Sequence, residues 1–119
     1  KDGKLYAAGG RTTGLTGYFS DNIAAVDVYD FNTQSWSTVT NNLPRPVAAA
    51  STAIIGNELL IIGGEDTAAT ASNLTQALNL SDYSWRLLDS LNEGRHGTQA
   101  IVNNQKIYLA SLLILVYRS

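Results

Sequence analysis

A chain of 119 residues is long enough for one domain, and hydrophobic and charged fractions of 45% and 15% are ordinary for a protein with a packed core. The net charge of -2 offers no positive field for a nucleic-acid backbone, and the longest apolar run, residues 112–117, is far shorter than the ~20 residues of a membrane-spanning helix. The absence of cysteine excludes disulfides, thiolate metal sites and cysteine nucleophiles. We therefore expect neither a nucleic-acid partner nor a membrane partner.

The first predicted elements follow a tight turn at Asp2-Gly3. The segment "KLYAA" predicts a short apolar strand that ends at the glycine pair Gly9-Gly10. After a polar linker, "VDVYD" predicts another strand, which enters the Asx-rich turn "FNTQ" before a further strand opens on Trp36. These elements are the first copy of a pattern that returns along the chain.

The second copy begins with "AAASTAII", residues 48–55. Alanine favours a helix in this segment, but its β-branched end and the flanking Pro46 and Gly56 favour a strand. The segment "GNELLIIGG" then repeats the turn, the strand and the glycine pair, and "TQALNLSDYSW" repeats the strand and turn that lead to Trp85. A complete copy therefore predicts four short strands and no helix.

The third copy is shorter. The segments "HGTQAIV" and "NNQKIYLAS" repeat two strands, but Ser111-Leu112 stand where the glycines belong, and "LILVYRS" leaves the pattern. Three markers give the spacing of the copies: Gly9 to Gly63 is 54 residues, Trp36 to Trp85 is 49, and Arg45 to Arg95 is 50. A period near fifty indicates a repeat architecture.

The details of the first copy resemble the kelch repeat. They are the glycine pair that ends a strand, the Tyr29-Asp30 pair, the Trp six residues after that Asp, and the exit Leu43-Pro44-Arg45. In that family each repeat of ~50 residues forms one four-stranded antiparallel blade of a β-propeller. The resemblance implies an all-β fold with the following units: residues 1–44 as a first blade without its first strand, 45–94 as a second blade, and 95–119 as a partial third blade with an off-pattern apolar tail.

Propellers close with typically 4 to 8 blades, so two and a half repeats predict an incomplete propeller. Its terminal blades would have unpaired strand edges and uncovered faces, which neighbouring propeller blades or copies of the chain would cover. The lack of any methionine and the off-pattern tail favour a fragment of a larger propeller.

The glycine pairs and the tryptophans have structural interpretations. A glycine pair lets the backbone leave the strand with positive φ and lets the next blade approach closely, and a Trp at blade spacing packs between blades. We assign these roles to Gly9, Gly10, Gly63, Gly64, Trp36 and Trp85.

The long connections indicate where a ligand would bind. In an up-and-down meander, the connection between the second and third strands emerges on the same side as the one that leads to the next blade, whereas the opposite side has tight turns. The candidate ligand-binding residues on the long connections are Arg11, Tyr18, Phe19, Arg45, Glu65, Asp66, Arg95 and His96. Arginines bind carboxylates bidentately and the aromatic pair offers a stacking surface, although an arginine at a blade boundary also binds loop carbonyls. One histidine cannot form a metal site alone, and we predict no metal and no cofactor.

The first functional hypothesis is a non-catalytic module that binds a protein or a carbohydrate through the long loops. The resemblance also extends to kelch-type enzymes. A copper oxidase of the galactose-oxidase type needs a cysteine and several metal ligands that this chain lacks, whereas a sialic-acid mutarotase-like enzyme needs an acid/base group, for which Glu65, Arg95 and His96 are candidates. A spacer in a secreted multidomain protein is the third hypothesis. Abundant Asn, Ser and Thr without Cys are compatible with a secreted or periplasmic protein.

Overall fold

Nine β-strands form the described part of the chain. The computed structural model describes residues 1–12 and 21–110, and within them there is no helix, and hence none that is long and apolar enough to cross a membrane. The strands are β1 (Lys4–Ala8), β2 (Val26–Asp30), β3 (Ser35–Thr38), β4 (Ser51–Ile55), β5 (Glu58–Ile62), β6 (Thr75–Asn79), β7 (Trp85–Leu88), β8 (Gln99–Asn103) and β9 (Lys106–Ala110). The predicted all-β class is confirmed.

The strands divide into three antiparallel sheets in chain order. The sheets are β1-β2-β3, β4-β5-β6-β7 and β8-β9, and within each sheet consecutive strands are paired. The middle sheet is a complete four-stranded meander, and the first sheet corresponds to its last three strands. The segment for which a helix is the alternative, residues 48–55, contains strand β4, in which Ser51 and Ala53 are buried and Thr52 between them is exposed.

The Asx-rich turns have a common local cause. Asp30 ends β2, and its Oδ1 accepts the backbone N–H of Asn32 at 2.8 Å. Asn79 ends β6, and its Oδ1 accepts the N–H of Ser81 at the same distance. This side-chain bond reverses the chain within a few residues. The two turns therefore lie at the same end of their sheets, opposite the long connections.

The larger part of the core lies between the first and second sheets. Val26 and Val28 of the first sheet pack against Leu59 and Leu78 of the second, and all four are buried. Tyr6 lies at the margin of this cluster, where burial raises the pKa of its phenol and the nearby Tyr83 and Asp2 raise it further. The sheets thus bury their apolar residues by stacking face to face.

A second cluster joins the middle sheet to the third. Ala53, Leu60, Ile62 and Ala77 are buried there against Leu88, Leu91, Ala100, Ile107 and Leu109. A buried hydrogen bond of 2.6 Å joins the hydroxyls of Ser51 and Thr98 at the starts of the two facing strands. The middle sheet is therefore packed on both faces, as a blade inside a stack must be.

The glycine pairs lie where one sheet meets the next. The N–H of Gly10 donates to the carbonyl of Val47 at 3.0 Å, and the N–H of Gly64 donates to the carbonyl of Arg95 at 2.7 Å. A Cβ on Gly9 would lie 2.7 Å from the Val47 oxygen, and one on Gly63 would collide with the Arg95 oxygen. Because Gly9 and Gly63 also have positive φ, a side chain at either position meets both backbone strain and a steric clash.

The two tryptophans have different surroundings. Trp85 packs against the first cluster, and its indole N–H donates to the carbonyl of Asn41 at 3.0 Å, across the boundary between the sheets. Trp36 is 58% exposed and touches Tyr29, with ring centroids 5.2 Å apart. The difference arises because the first sheet covers Trp85, while no described residue covers the face that carries Trp36.

Replacing Gly63 by Ala should lower the free energy of unfolding by about 2 to 4 kcal/mol, because it combines left-handed strain with a clash against the next sheet. Gly56→Ala is the matched control, since Gly56 has a φ of +56° and nothing within 4 Å of the added methyl. The control should cost only about 1 kcal/mol. Urea unfolding measures both values, and equal costs would contradict the role given to the contact.

Candidate functional site

The long connections lie together on one side of the stack. Leu43 in the β3–β4 connection donates its N–H to Ala24 in the β1–β2 connection at 2.8 Å, and Leu91 donates to Asn73 at 2.8 Å in the following repeat. We call this side the loop face and define it by residues 9–12, 21–25, 39–50, 63–74 and 89–98. Both kinds of long connection are thus on one surface.

Asn22 connects two repeats on the loop face. Its amide donates to the carbonyl of Glu65 at 2.9 Å and to that of Pro46 at 3.2 Å, while its Oδ1 accepts the Arg11 Nε at 3.1 Å. Arg11 also forms a half-buried ion pair with Glu65, with 3.4 Å between Nη2 and Oε2. Arg11 and Glu65 each directly follow a glycine pair, so equivalent positions of consecutive repeats are joined by opposite charges.

Arg45 is fixed through its backbone. The buried side chain of Gln76 accepts the Arg45 N–H at 2.8 Å and donates to the Arg45 carbonyl at 2.9 Å. The Arg45 side chain is exposed, and within the described residues its guanidinium has no hydrogen bond or ion pair. The structure therefore holds the position of this arginine and leaves its charge available.

A groove of about 540 Å³ runs beside Arg45. One wall is formed by residues 45–47, and the other by residues 66, 67 and 70–74 of the β5–β6 connection. Asp66 braces that connection, since its Oδ1 accepts the N–H groups of Ala68 and Thr70, each at 2.9 Å. Thr67, Thr70 and Asn73 are exposed along the groove, so hydroxyl and amide groups stand beside one available guanidinium.

The predicted site residues divide into separate groups. Arg45 and Asp66 line the groove, and Arg11 and Glu65 form the ion pair. The Arg95 guanidinium lies 3.8 Å from Glu93, and the Arg95 backbone is hydrogen-bonded to Gly64 and Ser72 of the β5–β6 connection. Half-buried His96 follows it. Tyr18 and Phe19 lie outside the described residues.

The spacing of Arg45 and Arg95 does not mark equivalent positions. Val47 and Arg95 are the equivalent pair, because each accepts the bond from the second glycine of the preceding pair. Arg45 lies two residues before Val47, the acceptor of its own repeat, so the two arginines occupy different positions in their repeats. The apparent period of 50 between them is a coincidence of residue type.

Sequence reasoning missed Asn22 and Gln76. Gln76 is 1% exposed within strand β6, where strand alternation predicts which face a residue occupies but not that a connection from the preceding repeat will be there. Asn22 stands in a polar linker where any Asn is unremarkable. Strand β6 reads TQALN, so a polar residue at position 76 was no distinctive signal.

Stacked antiparallel meanders, each covering the next and each contributing long connections to one common side, define β-propeller blades. The described sheets have the fold of an incomplete kelch-type β-propeller, and the sequence matches support a similarity of the chain to the kelch repeat family. The Kelch motif family matches residues 1–43. Proteins similar to this chain include Kelch-like protein 25 of Xenopus tropicalis, 28% identical over 106 residues, and Kelch-like protein 42 of Homo sapiens, 29% identical over 83 residues.

The matches cover different shares of the proteins compared. The two kelch-like relatives align with 89% and 67% of this chain, which spans only 17% and 16% of their own lengths. The solved structure of YjhT superimposes with a TM-score of 0.72 at 20% identity and covers 92% of this chain and 41% of that one. This likeness supports the incomplete propeller fold.

Gln76→Leu should lower the free energy of unfolding by about 2 kcal/mol, because it leaves the N–H and carbonyl of Arg45 without their partners. Gln99→Leu is the control, since Gln99 is exposed in a strand and should change stability by less than about 0.5 kcal/mol. Chemical denaturation of both variants measures the difference. A Gln76→Leu variant as stable as the control would show that Gln76 does not hold Arg45.

Proposed function

We propose that the chain is a non-catalytic propeller segment that binds a protein or carbohydrate ligand through the groove on the loop face. The observation that carries the proposal is the Arg45 guanidinium, which stands at this groove without an ion pair among the described residues. The other described arginines form ion pairs: Arg11 with Glu65, Arg86 with Glu58, and Arg95 with Glu93. An available arginine beside a concave surface is a site for a ligand carboxylate.

The rest of the groove suits such a ligand. A volume of about 540 Å³ falls within the range of small-molecule and side-chain pockets. Thr67, Thr70 and Asn73 offer hydroxyl and amide groups to peptide bonds or sugar hydroxyls. The brace from Asp66 and the two bonds from Gln76 hold both walls before a ligand arrives, which reduces the entropy lost on binding.

The enzymatic alternative, a sialic-acid mutarotase-like protein, depends on Glu65, Arg95 and His96. The carboxylate of Glu65 is paired with Arg11, and the guanidinium of Arg95 lies beside Glu93. Within the described residues no hydrogen bond or ion pair joins any two of the three side chains. Their arrangement favours a structural role in the boundaries between repeats over acid/base chemistry.

Binding through the groove predicts a specific effect of Arg45→Ala. The labelled chain is applied to arrays of acidic peptides and of carboxylated glycans, and the affinity of the strongest hit is measured by calorimetry. Loss of a charge-assisted contact should weaken that binding by about 10- to 100-fold, and Thr70→Val should weaken it by a smaller factor.

Arg86→Ala is the control for this experiment. Arg86 binds Glu58 through bonds of 2.8 and 2.7 Å on strand β7, and these bonds hold the pKa of the Glu58 carboxyl below its ordinary value. Its removal should leave ligand affinity unchanged. Equal affinities for the wild type, Arg45→Ala and Thr70→Val, or a folded chain that binds no array member, would refute the groove as the site.

The two functional classes also differ in turnover. A binding module should leave the exchange between the anomers of sialic acid at its uncatalysed rate, as followed by NMR. Acceleration by the wild type that is lost in Glu65→Gln would replace the proposal with the enzymatic alternative.

A further inference from the structure

The groove on the loop face carries charges of both signs. Arg45 stands on one wall with an available guanidinium, and the carboxylate residue Asp66 lines the other wall. The two side chains form no ion pair with each other, and neither pairs with another described residue. Each charge is therefore left for a group that enters the groove.

The carboxylate of Asp66 has one oxygen in use and one without a partner. Its Oδ1 accepts the N–H groups of Ala68 and Thr70. Its Oδ2 has no hydrogen bond or ion pair among the described residues, although each carboxylate oxygen can accept two hydrogen bonds. The half-buried Asp66 thus adds an acceptor to the groove, and a positively charged donor is its strongest partner.

The turn that carries Asp66 is closed by backbone hydrogen bonds. The Asp66 N–H donates to the carbonyl of Thr70 at 3.0 Å, and the Ala69 N–H donates to the carbonyl of Asp66 at 3.1 Å. Ala69 has a φ of 60°, a left-handed conformation that an alanine keeps only where its surroundings hold it. Since Gln76 holds the backbone of Arg45 on the other wall, both charged residues are in place before a ligand binds.

The groove also has an apolar lining. Pro46, Ala71 and Leu74 line it and are half-buried. The aliphatic stems of Glu and Lys side chains pack on such a surface while their charged ends reach polar partners. A carboxylated sugar such as sialic acid supplies an anion and neutral hydroxyl groups but no cation for Asp66. The lining and the two charges therefore favour a peptide over a glycan.

We propose that the groove binds a peptide segment with an acidic and a basic side chain close together, the acidic group at Arg45 and the basic group at Asp66. This inference rests on the proposed function, because it requires a ligand in the groove, and it makes Asp66 the residue that sets specificity. A ligand with both charges leaves neither wall with an unpaired charge on binding. A second acidic group would instead be repelled by the Asp66 carboxylate.

The experiment compares short peptides with blocked termini on one glycine-serine background. One series carries a single Glu, a second carries a pair of Glu, and a third carries a Glu and a Lys separated by different numbers of glycines. Calorimetry with the wild type should show the best Glu–Lys peptide binding about 10-fold more tightly than the single-Glu peptide. The peptide with a pair of Glu should bind no more tightly than the single-Glu peptide.

Asp66→Asn is the decisive variant, because an amide oxygen still accepts the N–H groups of Ala68 and Thr70 while the charge is removed. It should abolish the preference for the Glu–Lys peptide without weakening the binding of the single-Glu peptide. Asp89→Asn is the matched control, since Asp89 is exposed on the loop face and does not line the groove. It changes the net charge equally and should keep the preference, and circular dichroism verifies that each variant is folded.

The outcomes separate this inference from the proposed function. If Arg45→Ala weakens binding but the wild type shows no preference for the Glu–Lys peptide, or Asp66→Asn keeps it, the groove is a ligand site without this specificity. An equal loss of preference in Asp89→Asn also refutes the inference, because the net charge is then the cause. A wild type that binds carboxylated glycans but no peptide refutes it as well. If Arg45→Ala changes the affinity for no ligand, the proposed function itself is wrong.

Discussion

The structure depends on a main-chain hydrogen bond that is made twice, from the second glycine of each pair to the segment that begins the next sheet. Gly10 binds the carbonyl of Val47, and Gly64 binds that of Arg95. The bond requires that two backbones approach without a side chain between them, and Gly9 and Gly63 provide that space. Because the bond fixes the start of the following strand, it also sets how each sheet lies on the last.

This arrangement explains why the core is shared between sheets. A sheet of three or four short strands has two faces and cannot bury either by itself, so Leu59 and Leu78 are dry only where the first sheet covers them. The middle sheet is covered on both sides and contains the most deeply buried strands, β5 and β6. Stability in such a stack resides in the contacts between neighbours, as in other repeat proteins.

The repeated sequence pattern allowed much of the fold to be predicted, because turns, glycine pairs and tryptophans at the starts of strands are local signals. The strands around Gly9, Trp36, Gly63 and Trp85 are of this kind. The environment of Trp36 was not predictable in the same way, because exposure depends on a neighbouring sheet rather than on the residue. Less of the candidate site could be predicted. Arg45 and Asp66 were candidates because of their residue types, but the hydrogen bonds of Gln76 and Asn22 join residues that are far apart in the sequence.

The connection that follows the glycine pair differs in length between equivalent places of the two repeats. It comprises residues 9–25 in the first and residues 63–74 in the second, yet both begin at the same glycine bond and end at a strand in the same register. Because both ends of the connection are held in the same way, the packing of the sheets does not depend on the length of the segment between them. The length of this connection can therefore vary between repeats while the stacking of the sheets is preserved.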